Sequence, residues 1–370
     1  MLSCRMCCGP TRTMLSLTPT PLANSFPDHP DVDAERFPLD VTQCVQCDHV
    51  QLGAHPDVDW VDYRYATPNA VRPHLERAAA QLRARYPQAT NVLELGCNNG
   101  LYLDVLRQAG FSAVGVDPCT PVGIAKPFSH ALARTLEPVD LIVANNVLAH
   151  VDDLWDVFRG IDHLLNDDGA LVFEVQYFPD LVKAGAFDMI YHEHRDYHTL
   201  TPFVAFLKRF GLIVADVEHL HFIHGGSYRV YCERPGIRYC AWESEVIDWR
   251  GFKSRIAEAR HALRWQLADT DGPIVAVGAT AKACTLIHHF GIAEYLDFAM
   301  DSTTAKQGRY IPGTRLPIQA PSSMPKDATI LLTAWNFETE IRAQFPLHRF
   351  IVPFAKEAPC LASLNSLKTC

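Results

Sequence analysis

The chain has 370 residues, and at about 150 residues per domain two or three domains are expected. Hydrophobic residues make up 48% and charged residues 20%, which excludes a disordered, collagenous or coiled-coil protein. A net charge of −9, from 33 basic and 42 acidic residues with no long run of Lys or Arg, disfavours a nucleic-acid groove. It leaves room for a local basic pocket that takes an anionic ligand. No apolar run approaches the roughly 18 residues of a membrane helix. Residues 1–14 lack the apolar centre of a signal peptide, so a cytoplasmic location is expected.

Four of the twelve cysteines form a pattern: Cys4-x-x-Cys7 and, 37 residues after Cys7, Cys44-x-x-Cys47. A CxxC knuckle presents two thiolates on one tight turn, and two knuckles complete the tetrahedral sulfur shell that Zn²⁺ favours. Four thiolates close the coordination sphere, so a zinc here is structural rather than catalytic. A pair of redox dithiols is the alternative, and Cys8 directly after Cys7 leaves the ligand register open. The first 50 residues carry six prolines and little periodicity, which predicts a small loop-rich module that needs its metal to fold.

Residues 71–85 have helical composition, with Leu75, Ala79 and Leu82 along one face. The chain then alternates. Strands are predicted at 91–95, 112–116, 140–144 and 170–175, with a helix after Gly100 and another at 152–165. That interleaving means a parallel, doubly wound sheet. Residues 212–219 and 226–232 read as a closing strand pair, and 242–268 as a connecting helical stretch. A strand at 273–277, with others near 296–300 and 329–333, predicts a second α/β domain. The expected division is 1–70 for the zinc module, 71–235 for the central domain and 236–370 for the C-terminal substrate-binding domain.

In the central domain, Val92-Leu93-Glu94-Leu95-Gly96-Cys97-Asn98-Asn99-Gly100 is a buried strand entering a Gly-rich turn, and Asp117 follows Gly96 by 21 residues. Glycines let the backbone approach a nucleoside, and a carboxylate at the second strand's tip can accept both ribose hydroxyls. NAD sites prefer G-x-G-x-x-G facing a pyrophosphate. The acidic, amide-rich turn here suits the sulfonium and ammonium of S-adenosylmethionine (SAM) better. With Asn145-Asn146-Val147 after the fourth strand and Leu164-Leu165-Asn166-Asp167-Asp168-Gly169 before the fifth, the segment resembles a class I SAM-dependent methyltransferase. Glu94, Gly96, Asn98, Asn99, Gly100, Asp117, Asn145 and Asn146 are the expected cofactor residues.

A narrower resemblance covers nearly the whole chain. The two knuckles, Pro21-Leu22-Ala23-Asn24, Phe37-Pro38-Leu39, Asp62-Tyr63-Arg64-Tyr65, Asn145 to His150, Phe187 to His194 and His224-Gly225-Gly226-Ser227-Tyr228-Arg229 recur in the order found in the sugar-nucleotide C-methyltransferases of branched deoxysugar biosynthesis. The resemblance implies an N-terminal zinc module, a class I SAM domain and a C-terminal Rossmann-like α/β domain. It further implies a nucleotide-diphosphate keto-deoxysugar substrate held between the last two, for an antibiotic or surface-polysaccharide sugar. Tyr191, Glu193 and His194 align with the family's catalytic Tyr-x-Glu-His, and Tyr63 or Tyr65 with a further active-site tyrosine. The cofactor loop departs from the family's Gly-Ser-Asn-Asp-Gly by carrying Asn99 in place of the carboxylate.

Methylating carbon requires a carbanion, accessible at neutral pH only beside a carbonyl, so the site needs a base for the α-proton and donors for the enolate oxygen. His194 is the expected base, with Glu193 orienting its ring and Tyr191 and His150 as donors. His192 and His194 could instead share a strand face as a metal pair, and 191–197 could be a polar helix end. Gly278-Ala279-Thr280-Ala281-Lys282 opens a predicted helix, and its amides and lysine suit an anion. Thr280, Lys282 and Arg229 are therefore expected at the substrate, with no nucleic acid and no membrane as partner. O- or N-methylation of another small molecule, or a zinc-knuckle module recruiting a SAM fold to RNA or protein, stand as alternatives.

Overall fold

The computed structural model of the chain describes residues 3–32, 34–54, 56–58, 67–221, 225–235 and 244–354. The N-terminal segment forms β1 (Thr11–Thr20), β2 (Phe37–Cys44) and β3 (Val50–Leu52), paired antiparallel in sequence order. The expectation of a loop-rich module is corrected here. β1 alternates buried and exposed positions, and Leu15, Leu17, Leu39 and Val41 share a core with Phe178, Trp249 and Phe290 from the rest of the chain. Pro and Thr obscure that alternation in the sequence, and most of the apolar partners lie hundreds of residues away.

The central domain begins with α1 (Arg72–Arg85), which buries Leu75, Ala79 and Leu82 as its periodicity requires. It continues through β4 (Asn91–Leu95), α2 (Leu101–Gln108), β5 (Ser112–Val116), α3 (His130–Ala133), β6 (Val139–Asn145), α4 (Leu154–Leu164) and β7 (Leu165–Gln176). After α5 (Phe178–Ala184) and a buried turn, the two-residue β8 (Asp196–Tyr197) leaves this domain to pair with β3 of the N-terminal sheet. α6 (Leu200–Leu207), β9 (Ile213–Leu220) and β10 (Ser227–Glu233) close the domain. The six strands run in the order β5-β4-β6-β7-β10-β9, with β10 antiparallel to both neighbours. The predicted closing pair is thus an antiparallel edge on a parallel sheet.

A 20-residue helix, α7 (Trp249–Ala268), leads into the C-terminal domain. There β11 (Ile274–Val277), α8 (Ala281–Phe290), β12 (Phe298–Met300), β13 (Ile318–Gln319), β14 (Thr329–Leu332), α9 (Glu338–Gln344) and β15 (Arg349–Ile351) build a second sheet. Its order, β13-β12-β11-β14-β15, is parallel throughout. In each parallel sheet the strand order reverses once, between β4 and β6 and between β11 and β14. Ligands of doubly wound folds bind outside the carboxyl ends of the strands at such switch points. Among the described residues, no helix is long and apolar enough to cross a membrane.

Candidate active site and zinc centre

Both switch points open onto one cavity of about 760 Å³. Gly96 lines it from the tip of β4, Asn145 and Asn146 from the tip of β6, and Gly278, Thr280 and Lys282 from the turn after β11. Gly96 has φ +73, and a Cβ there would stand 2.8 Å from Val147 Cγ2, so only glycine fits that turn. Asp117 Oδ2 accepts from the Asn98 amide at 3.1 Å and Oδ1 from the Cys119 amide at 2.7 Å. Those bonds fix a carboxylate at the tip of β5 and leave lone pairs for a diol.

Glu94 is buried on the same wall, and its pKa is pushed up to about 8, first by burial and then by the charge on Asp117. Glu94 Oε2, Asn145 Nδ2 and Asn146 Oδ1 are buried without a hydrogen-bond partner. Orphaned polar atoms carry a free-energy cost, and here they all belong to residues lining the cavity. A ligand carrying ammonium, sulfonium and carboxylate groups supplies complementary partners, so the donor set fits SAM. Of the expected cofactor residues, Glu94, Gly96, Asn98, Asp117, Asn145 and Asn146 line the cavity. Asn99 and Gly100 do not. Asn99 is exposed, donates Nδ2 to the Thr67 carbonyl at 3.0 Å and accepts from the Leu101 amide at the start of α2. A carboxylate could not make that donation.

Of the predicted catalytic residues, Tyr191, Glu193 and His194 fall in a buried turn between α5 and β8 rather than on a strand or a helix end. The His194 amide donates to the Tyr191 carbonyl at 2.9 Å, which folds the rings of Tyr191 and His194 together with centroids 4.0 Å apart. His194 Nδ1 lies 2.9 Å from the Met189 carbonyl, an acceptor only, so Nδ1 carries the proton. Nε2 of the neutral ring is then an acceptor, and the Tyr191 hydroxyl donates to it at 2.6 Å. Both side chains line the cavity. His192 points elsewhere, donating Nε2 to the Pro38 carbonyl at 3.2 Å, so the turn does not present a histidine pair to a metal.

Two expected roles change. Glu193 is directed to Asn24, accepting from its backbone amide at 3.0 Å and its side chain at 2.9 Å, while the Met189 carbonyl orients His194. His150 donates Nδ1–H to the Glu193 carbonyl at 2.8 Å, and burial lowers its pKa to about 4, so it is neutral near pH 7. With its one proton committed to that carbonyl, it anchors the turn instead of donating to an enolate. Tyr63 and Tyr65 lie outside the described residues.

The four cysteines converge. Their Sγ atoms all lie within 4.8 Å of one another, with Cys4–Cys47 at 3.6 Å and Cys7–Cys44 at 3.4 Å. Tetrahedral Zn–S bonds of about 2.3 Å imply sulfur separations of about 3.8 Å. Amides of Gly9 and Gln46 donate to Cys7 and Cys44 at 3.4 Å, as knuckle turns provide. Cys8 is exposed at φ +61 and takes no part, which settles the register.

Three family models match the chain in succession: "Putative zinc binding domain" at residues 4–59, "Methyltransferase domain" at 63–217 and "C-methyltransferase C-terminal domain" at 222–352. The C-methyltransferase NovU of Streptomyces niveus is 31% identical over 387 aligned positions, covering 92% of each chain. This chain belongs to the C-methyltransferase family. Among solved structures it is similar to magnesium protoporphyrin IX methyltransferase from Synechocystis PCC 6803 with bound SAM, at 17% identity over 49% of this chain and 87% of that one, TM-score 0.34. The 1,6-didemethyltoxoflavin-N1-methyltransferase of Burkholderia thailandensis is 15% identical over 52% of this chain and 98% of that one, TM-score 0.36. The C-methyltransferase uses SAM as its methyl donor and carries a zinc-binding module at its N-terminus.

On the far wall of the C-methyltransferase cavity, Thr280 caps α8 by accepting from the Ala283 amide at 3.2 Å. Lys282 Nζ donates to Asn336 Oδ1 and lies 4.3 Å from the Trp335 ring centroid. Burial lowers its pKa to about 8, partly offset by buried Asp188. Arg229, expected at the substrate, is buried away from the cavity wall and pairs with Glu174 at 2.5 Å and Glu218 at 2.8 Å. Glu174 and its second partner His74, at 2.8 Å, do line the cavity and were missed from sequence. Burial opposes the Glu174 charge, but His74 and Arg229 hold its pKa low. A carboxylate in the apolar run Leu171-Val172-Phe173-Glu174-Val175 was the available signal.

Proposed function

We propose that this C-methyltransferase methylates a carbon, C3, of a nucleotide-linked keto-deoxysugar through a base-generated enolate, in branched deoxysugar biosynthesis. The observation that carries the reading is the Tyr191–His194 pair, buried yet lining a cavity bounded by both switch points. We also take the chain to divide near residues 70 and 235, and the sites named below as its working residues.

Bound SAM supplies an electrophilic methyl group and requires a nucleophile in line with it. Glu94, Asp117, Asn145 and Asn146 would hold that cofactor at the β4–β6 switch point. The substrate's α-proton passes to the Tyr191 oxygen as the Tyr191 hydroxyl proton passes to His194 Nε2. The products of that step are an enolate and an imidazolium, so charge is conserved. His194 is therefore the final proton acceptor and Tyr191 the group that meets carbon. Neutral His150, with its ring centroid 4.7 Å from that of His194, adds no like charge when the imidazolium forms. Lys282 and Thr280, at the β11–β14 switch point, would receive the substrate diphosphate.

The test is mass spectrometry of keto-deoxysugar nucleotides incubated with protein and SAM. A product heavier by one methylene, with fragmentation placing it on carbon, is expected. Methylation on oxygen or nitrogen, or none across the panel, would overturn the assignment.

A further inference from the structure

Outside the cavity lining, one other group of described side chains gathers its ligand atoms as closely as the N-terminal thiolates do. Asp180 on α5, His219 on β9 and His221 just beyond it each offer one ligand atom, all within 4.8 Å of one another. His219 and His221 are alternate residues, so strand geometry places both rings on one face, and their centroids are 3.7 Å apart. His219 Nε2 meets Asp180 Oδ2 at 2.5 Å. Gly226, at φ +124, makes room for the carboxylate, because a Cβ there would collide with Asp180. Tyr177 and Tyr228, stacked at 3.9 Å, wall off one side, and the His219 ring packs on both.

The electrostatics favour a cation. Among the described residues no Lys or Arg pairs with Asp180. Two imidazoles and one carboxylate select a borderline ion such as Zn²⁺ over Ca²⁺ or Mg²⁺, which prefer oxygen-only shells. Bonds of about 2.0–2.2 Å require the ligand atoms to stand a little over 3 Å apart. Asp180 and His219 would open by less than 1 Å, and the exposed His221 would turn in.

We propose that Asp180, His219 and His221 form a second metal site for a divalent ion of the zinc class, with a position left open to water. Such an ion joins the end of β9 to α5. It also sits beside Gly226 and its neighbour Gly225, where a Cβ would stand 2.7 Å from the Trp335 ring that lies under Lys282.

The experiment is calorimetric titration of tag-free protein, already holding zinc on its cysteines, with Zn²⁺ alone. One further equivalent is expected in the wild type and none in the His219→Ala/His221→Ala double variant, with Asp180→Asn at least tenfold weaker. His221→Ala alone, a change at an exposed ring, serves if the double variant misfolds. Elemental analysis of the variants must still find the cysteine-bound zinc. Co²⁺ added in place of Zn²⁺ should give d–d absorption without thiolate-to-metal charge transfer. No further equivalent in the wild type, one that survives both histidine changes, or a thiolate band with Co²⁺ would each overturn the proposal.

Discussion

Replacing Asp196 by Asn separates the zinc module from the catalytic turn without removing either. Arg5, between Cys4 and Cys7, reaches both Asp196 carboxylate oxygens, at 2.9 and 3.1 Å, and His49 Nε2 reaches one at 2.8 Å. The same guanidinium donates to the carbonyls of Val151 at 2.6 Å and Asp152 at 2.9 Å, both on the cavity wall. Asp196 is fully buried, and burial alone would raise its pKa, yet Arg5 and His49 hold it well below the usual carboxylate range. Breaking a buried pair from one side costs about 3–5 kcal/mol. Asn keeps the shape and one acceptor, so about 3 kcal/mol is expected, a fall in Tm of roughly 4 °C for a chain of 370 residues. A depressed pKa contributes stability that is fully present above the unfolded value near pH 4 and is lost progressively as pH falls from there through the lower folded value. The gap in Tm between wild type and variant should therefore be full at pH 7 and narrow progressively below about pH 4. Thermal melts across pH, with zinc content measured alongside, are the assay. A variant within about 1 kcal/mol of wild type at pH 7, or a gap that does not narrow between pH 7 and pH 2, would refute this reasoning.

Glu94 gives a second prediction: with its pKa near 8, SAM affinity should rise between pH 6.5 and 9 as the carboxylate ionises, and Glu94→Gln should flatten the profile in a binding titration. Lys282, with a pKa of about 8, is cationic below that value, so KM for a sugar-nucleotide substrate should climb above pH 8. Lys282→Met should raise KM about tenfold or more at pH 7 and abolish that dependence in steady-state assays. Tyr191→Phe should lower kcat by about 100-fold or more while leaving SAM affinity unchanged, and equal loss of both would point to folding instead.

Strands β4, β5 and β11 were legible in the sequence because buried parallel strands read as continuous apolar runs. The Gly96 turn, Asp117 and the two knuckles were legible because their function depends on local spacing. What escaped was set by distant partners. β8 has two residues and no pattern of its own, and it exists because Val50 and Gln51 pair with it across the fold. Glu193 was assigned to its sequence neighbour His194, but its partner Asn24 is 169 residues away. Arg229 ends one of the runs that carry the family resemblance, yet strand alternation sends it to Glu174, one strand over in the sheet. His74 gave no sign at all, since a histidine in a helix of alanines and arginines looks like any surface position.

The most direct test of the carbon-acid account is proton exchange in deuterated water without methyl transfer. Keto-deoxysugar nucleotide is incubated with the protein and S-adenosylhomocysteine, and deuterium at the carbon beside the ketone is read by NMR. The account predicts exchange at one carbon that depends on the protein and is lost in Tyr191→Phe. Methylation on carbon by the wild type with no such exchange, or exchange that Tyr191→Phe leaves intact, would contradict it.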